Sequence, residues 1–289
     1  MIKVISIICF LILAPFLGGL LEGFERKISA RMQGRIGPPV LQPFYDVVKL
    51  FNKQTIIVNK AQTFLMITYM MIQIFVGVLF FGGSDILMCF FLLSTGATFL
   101  IFAGTVTHSP LSTLGTNREL LQMMSYEPAV LLACLGFYLA PPNHTFNVSE
   151  LIHTPTSLIL YLPGFFVAFV FILTIKMRKS PFDLSTSHHA HQEVVKGITT
   201  ELGAKNLAIY QITEWYEEVF LLAVVALFII NENPISILIA VIVALAVWFF
   251  EILIDNTNAR VKWDVLIKST WAVTILAGGV NMLILMLVF

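Results

Sequence analysis

Glu214, Glu217 and Glu218 stand in the middle of an apolar run. Spacings of three and four residues put all three on one face of a helix. Counted from Ala204, Glu214 lies about 15 Å along a helix rising 1.5 Å per residue, close to the middle of a bilayer. A charged residue at that depth costs roughly 2.5–3.5 kcal/mol on insertion scales. Three such groups facing lipid would offset much of the gain from the whole span, so they must face protein or water. Carboxylates gathered there suit the passage of H⁺ or Na⁺.

Other acids join this set. Glu127 precedes Pro128 in another apolar stretch, Glu201 stands at the entrance of the Glu214 run, and Glu251 lies one turn before Asp255. Ion pairing accounts for Asp255 beside Arg260 and for Glu22 beside Arg26. Cations are scarce within the spans, so Glu127, Glu214, Glu217 and Glu218 are expected to form a proton or cation relay, with Glu201 and Glu251 on the same path.

The elements that carry these acids are membrane helices. Hydrophobic residues make up 58% of the chain and charged residues 12%, about half the charge of a soluble domain. Apolar runs of membrane-spanning length recur, which predicts an all-α polytopic protein forming a single transmembrane domain over 1–289. About eight spans are expected, at 2–21, 62–82, 86–104, 120–140, 158–176, 204–230, 235–254 and 270–289. The first has one cation, Lys3, and no small-residue cleavage site, so it reads as a retained span.

Lys and Arg fall almost entirely in alternate loops. Residues 22–60 hold seven of them, and 176–205 and 260–268 hold most of the rest. The loops near 83–85, 141–157 and 231–234 hold none. The positive-inside rule then puts the basic loops in the cytoplasm and both termini outside, in a multi-pass protein of the cell membrane. Asn143 and Asn147 open glycosylation sequons on an expected outer loop. The net charge of zero gives no reason to expect a nucleic-acid partner.

Two basic loops carry more than a connection. In 22–60, Gly37-Pro38-Pro39 stops a helix. Beyond it Phe44, Val47, Val48 and Phe51 share one face and Asp46, Lys49 and Lys53 another, which predicts an amphipathic surface helix of about three turns. It suits either a lipid anchor or a platform for a soluble partner. In 177–203, His188, His189, His191 and Glu193 crowd together but lack the spacing of a two-histidine zinc helix. No metal site is expected there, but a hydrogen-bonding or proton-carrying interface is. Cys9, Cys89 and Cys134 are isolated in apolar runs, so no cofactor is expected in this chain.

Several stretches resemble one family. Glu25-Arg26-Lys27, Arg31-Met32-Gln33-Gly34-Arg35-Ile36-Gly37-Pro38 and Asp46-Val47-Val48-Lys49-Leu50 look like the first-loop signature of complex I subunit 1, the H subunit of bacterial enzymes. Gln122-Met123-Met124-Ser125-Tyr126-Glu127 resembles its fourth-span motif. Arg178-Lys179-Ser180-Pro181-Phe182-Asp183, with Glu193 and Thr200-Glu201, resembles its fifth-loop motif. The histidine-rich stretch after Asp183 replaces the acidic stretch of quinone-reducing members. With Glu214-Trp215-Tyr216-Glu217 and Asp255-Asn256-Thr257-Asn258-Ala259-Arg260, it is similar to the membrane subunit of Ech-type energy-converting nickel–iron hydrogenases.

That resemblance implies a non-catalytic membrane anchor and coupling subunit, joining ferredoxin-driven hydrogen evolution to H⁺ or Na⁺ movement. Its implied partners are hydrogenase large and small subunits, an iron–sulfur subunit and an antiporter-like membrane subunit. The NiFe centre and iron–sulfur clusters would lie in those partners. Arg26, Arg31, Arg35, Asp46, Lys49, Asp183, His188, His189, His191 and Glu193 would form the arm-facing interface. The alternatives are a quinone-site subunit of a complex I-like oxidoreductase and a stand-alone ion transporter.

Overall fold

The computed structural model describes residues 2–54, 56, 59–141, 144–186 and 196–288. Eleven helices are seen among these residues: α1 Ile2–Met32, α2 Gln42–Asn52, α3 Lys60–Phe81, α4 Ile86–Thr105, α5 Pro110–Leu139, α6 Val148–Leu151, α7 Pro163–Lys176, α8 Ala204–Leu227, α9 Ile235–Thr257, α10 Trp263–Val273 and α11 Val280–Val288. Six stretches are long and apolar enough to span a membrane, one of them the continuous run Lys3–Met32 and another Trp263–Val288 through α10 and α11. The chain is a multi-pass, all-helical membrane protein.

The other two expected spans are α7 and α8. The 24 residues of α8 reach about 36 Å, enough to cross, but it carries the glutamates and sits at the centre, against α1, α2, α3, α7 and α9. The 14 residues of α7 reach only about 21 Å, short of a core of about 30 Å. The sequence-based span 158–176 therefore starts too early. A short 3₁₀ turn at Leu158–Leu160 fills the missing length. There the Ile159 N–H donates to Phe228 O (2.7 Å) and the Ser157 hydroxyl to Ile229 O (2.8 Å). These bonds pair the irregular backbone with the end of α8, as a non-helical segment within a membrane bundle requires.

The start of α7 is closed by the last helix pair. A π-helical stretch, Thr274–Gly279, joins α10 to α11. Just past it, Asn281 accepts from the Gly164 N–H (2.6 Å) and donates to Tyr161 O (2.9 Å). One side chain thus serves a donor and an acceptor that the helix start leaves unpaired.

Two helices run longer on the basic side than the hydropathy suggests. The first continues from the expected end at 21 to Met32. It stops where Gly34 turns left-handed (φ +72°) and the Arg35 N–H reaches back to Ala30 O (2.7 Å), a glycine-capped end. The expected fourth span is α5, which begins at Pro110, not 120, and brings Glu119 inside a helix.

The surface helix forms as expected, but its faces divide differently. Phe44 and Val47 pack inward against Ala208, Ile212 and Trp215 of α8. Val48 and Phe51 are exposed, with Tyr45 beside them. The expected face of Phe44, Val47, Val48 and Phe51 is therefore split between the inside and the outside. Gly19 and Gly23 let α2 and its leading segment lie close on α1, because a Cβ at either would collide with Phe44 or with Val40 O.

Candidate functional site

The short α7 delivers three cations into the bundle. Arg178 ends it in the left-handed region (φ +50°), where a side chain is strained and glycine is usual. The Lys179 N–H closes the turn on Thr174 O (3.0 Å). This turn sends Lys176, Arg178 and Lys179 towards carboxylates on three different helices.

Lys176 meets Glu217 of α8 (Nζ–Oε1 3.0 Å), with both side chains more than nine-tenths buried. The same carboxylate accepts from the Tyr69 hydroxyl (3.1 Å) and Gln73 Nε2 (3.3 Å) on α3. The Lys176 ammonium also lies 5.1 Å above the Tyr126 ring of α5. Arg178 grips both oxygens of Glu119 on α5 (Nη2–Oε1 2.8 Å, Nε–Oε2 3.3 Å) and also pairs with Glu214 of α8. Lys179 pairs with Glu25 of α1.

These pairs decide the charge of the loop groups. Burial disfavours the Arg178 cation, but Glu119 and Glu214 outweigh it and hold its proton well above the usual range. Lys179 behaves likewise, its burial overcome chiefly by Glu25. Burial pushes the Asp183 carboxyl up, against the pull of Arg260 at 2.6 Å.

Further pairs extend the network. Glu22 accepts from Trp215 Nε1 (2.6 Å) and Gln211 Nε2 (2.7 Å) and pairs with Arg26, which also holds Asp46 (2.9 Å). Glu218 accepts from Trp248 Nε1 of α9 (3.0 Å). Asp255 accepts from the Ser180 N–H (2.8 Å), tying α9 to the loop after α7. Most of the charged groups, though not Glu119 or Asp46, line a cavity of about 490 Å³. Among the described residues, 21 line it, and thirteen of these are Asp, Glu, Lys or Arg, seven acidic and six basic. Such a wall holds water and ions far better than an apolar ligand, whose sites are mostly hydrophobic.

A family model described as NADH dehydrogenase matches residues 2–286. The chain belongs to the NADH dehydrogenase family. The H subunit of the NADH-quinone oxidoreductase of Rhodospirillum rubrum is 28% identical over 93% of this chain and 89% of its own length. Hydrogenase-4 component C of Escherichia coli is 27% identical over 87% of this chain and 86% of its own. Formate hydrogenlyase subunit 4 of the same organism is 25% identical over 88% and 89%. The fold matches a chain of the membrane-bound sulfane sulfur reductase, an archaeal respiratory membrane complex. That match has a TM-score of 0.84, covers 99% of this chain and all of that one, and is 22% identical. The family places the chain among the membrane subunits of complex I-like and hydrogenase-type respiratory complexes.

Within this family member, the sequence-predicted residues are distributed unevenly. Glu214, Glu217, Glu218, Arg26 and Asp183 line the cavity, and Asp46 is held to it through Arg26. The expected shortage of cations is overturned for Glu214 and Glu217, because Lys176 and Arg178 return into the bundle from the end of α7. Glu127 lies elsewhere, in a recess of about 90 Å³ beside Phe90, Phe91, Ser94, Val130 and Leu131. Glu201 is not on the cavity wall, and its backbone oxygen accepts from Gln62 Nε2 (3.2 Å). Glu251 is fully buried, with the Thr174 hydroxyl nearby but no well-formed hydrogen bond to either carboxylate oxygen among the described residues. Arg31, Arg35 and Lys49 are exposed, away from the cavity. His188, His189, His191 and Glu193 lie outside the described residues, as does Asn143. The other sequon residue, Asn147, begins α6 and pairs with Asp85 through the backbone.

Proposed function

We propose that the chain is the membrane anchor and ion-coupling subunit of a ferredoxin-dependent nickel–iron hydrogenase complex, linking hydrogen evolution to H⁺ or Na⁺ translocation. The observation that carries this reading is the charged wall of the cavity: a chamber with seven acids and six bases suits ion traffic rather than a quinone. Hydrogenase-4 component C and formate hydrogenlyase subunit 4 support it as relatives covering most of the chain.

In this reading the carboxylates of α8 pass the ion, and Glu119 joins Glu201, Glu214, Glu217, Glu218 and Glu251 as a member of the path, while Glu127 stands off it in its own recess. The loop of His188, His189, His191 and Glu193 faces the hydrogenase large and small subunits and an iron–sulfur subunit, and Asp183, paired with Arg260 on the cavity wall, stands between that loop and the ion path. An antiporter-like subunit takes up the coupled change within the membrane. The basic loops face the cytoplasm and the termini face out.

The similarity to the R. rubrum NADH-quinone oxidoreductase component favours a second reading, a quinone-site subunit. Gentle extraction of the complex with metal analysis separates the two. Nickel in a co-purifying large subunit, with hydrogen evolution indifferent to quinone analogues, is the expected result. A nickel-free complex with quinone-sensitive electron transfer would return the chain to the second reading.

The path itself has a sharper test. Among the ion-paired acids on the cavity wall Glu214 is the most exposed, its side chain 31% accessible. Glu214→Gln is expected to leave the complex assembled, because Arg178 keeps its two bonds to Glu119, and to lower ion translocation in proteoliposomes at least tenfold. Full translocation with that variant removes Glu214 from the path.

A further inference from the structure

The surface helix α2 is apolar on two sides. Its inner side packs on α1 and α8. Its outer side leaves Tyr45 and Val48 each 58% exposed and Phe51 43% exposed. The helix is fixed at the level where the apolar stretch of α1 ends: Phe44 lies over Gly19, and Asp46 is paired with Arg26. On α1 beside it Phe16 is also 58% exposed, and it packs at 6.3 Å on Phe44 of the inner side.

The charges beside this stripe identify what covers it. Lys49 and Lys53 are exposed on α2 and its end, and Lys27 on α1. None of the three has an ion-pair partner among the described residues. The nearby acids are already engaged, Glu22 and Asp46 by Arg26 and Glu25 by Lys179. The surface thus offers unmatched positive charge next to aromatic and aliphatic side chains, at the depth of the headgroups. That combination fits an anionic lipid, with acyl chains on the apolar stripe and the phosphate at the ammonium groups.

We propose that the outer face of α2 is a binding surface for anionic phospholipid, with Tyr45, Val48 and Phe51 against the acyl region and Lys49 and Lys53 on the headgroup. The surface is then no platform for a soluble partner. This assignment is independent of the hydrogenase reading, since it uses neither the cavity nor the electron donor.

Photo-crosslinking of the assembled complex in its native membrane tests it. Tyr45→p-benzoylphenylalanine puts a reactive aromatic at an exposed aromatic position. Val48→p-benzoylphenylalanine does the same one turn on and serves if the first variant fails to assemble. The expected product is a phospholipid adduct in which anionic headgroups exceed their share of the membrane roughly threefold. In the background of Lys49→Gln and Lys53→Gln the adducts should fall back to that share. An adduct to a protein subunit would overturn the proposal. So would lipid adducts in bulk proportion before the lysines are changed.

Discussion

Arg178→Gln is expected to destabilise the subunit by about 3–5 kcal/mol, the cost of breaking a buried pair from one side. Arg178 is nine-tenths buried and is the only cation paired with Glu119 and Glu214 among the described residues. Removing it leaves both carboxylates without an ion-pair partner among the described residues. The loss should appear as a lower melting temperature in detergent and reduced recovery of the assembled complex. Arg178→Lys keeps the charge but not the fork, so it should recover part of the stability. Adding Glu119→Gln and Glu214→Gln to Arg178→Gln should restore most of it, because a neutral cluster carries no uncompensated charge. A triple variant as unstable as Arg178→Gln alone would mean that Arg178 matters for the shape of the α7 end and not for its charge.

The reason this cluster went unread in the sequence lies in two boundaries. Glu119 falls one residue before the expected fourth span, so it reads as part of a loop. Lys176, Arg178 and Lys179 read as a basic loop, when a left-handed turn at Arg178 folds them back among the helices. The signal available was the close spacing of three cations just after a span with no acid of its own, which implies acids on neighbouring helices. By contrast, the face of α8 was fully legible. Glu214, Glu217 and Glu218 point towards one cavity as their spacing requires, because a helix at the centre of a bundle has no freedom to rotate its polar face into lipid.

Glu127 shows the limit of a motif read without its helix. It follows Tyr126, whose ring is buried under Lys176. Adjacent residues on a helix diverge by about 100°, as the turn of 3.6 residues dictates. With Tyr126 turned to the network, Glu127 faces away, into the recess between α4 and α5. The amphipathic pattern of α2 misled in the same way. Val47 and Val48 are also neighbours, and tertiary packing against Trp215 chose Val47 for the inside.

Glu251→Met is expected to raise stability by about 1–3 kcal/mol, the desolvation cost of a buried polar group without a well-formed hydrogen bond, while ion translocation falls. The two effects point in opposite directions, and that opposition identifies the role of the residue. Glu251 has no measurable exposure, and its oxygens make no well-formed hydrogen bond among the described residues, although the Thr174 hydroxyl lies close by. Its neighbour one turn on, Asp255, reaches the cavity wall and accepts from Ser180. A carboxyl retained at such cost, one turn from the chamber, suits a group that takes and returns a proton rather than one that holds helices together. Methionine fills a similar volume without a polar atom. Scanning calorimetry of the purified complex gives the first quantity and a proteoliposome assay the second. If Glu251→Met melts lower than the parent, the side chain is a structural hydrogen-bonding group. If it melts higher and still translocates at the parent rate, the carboxyl has no part in the path.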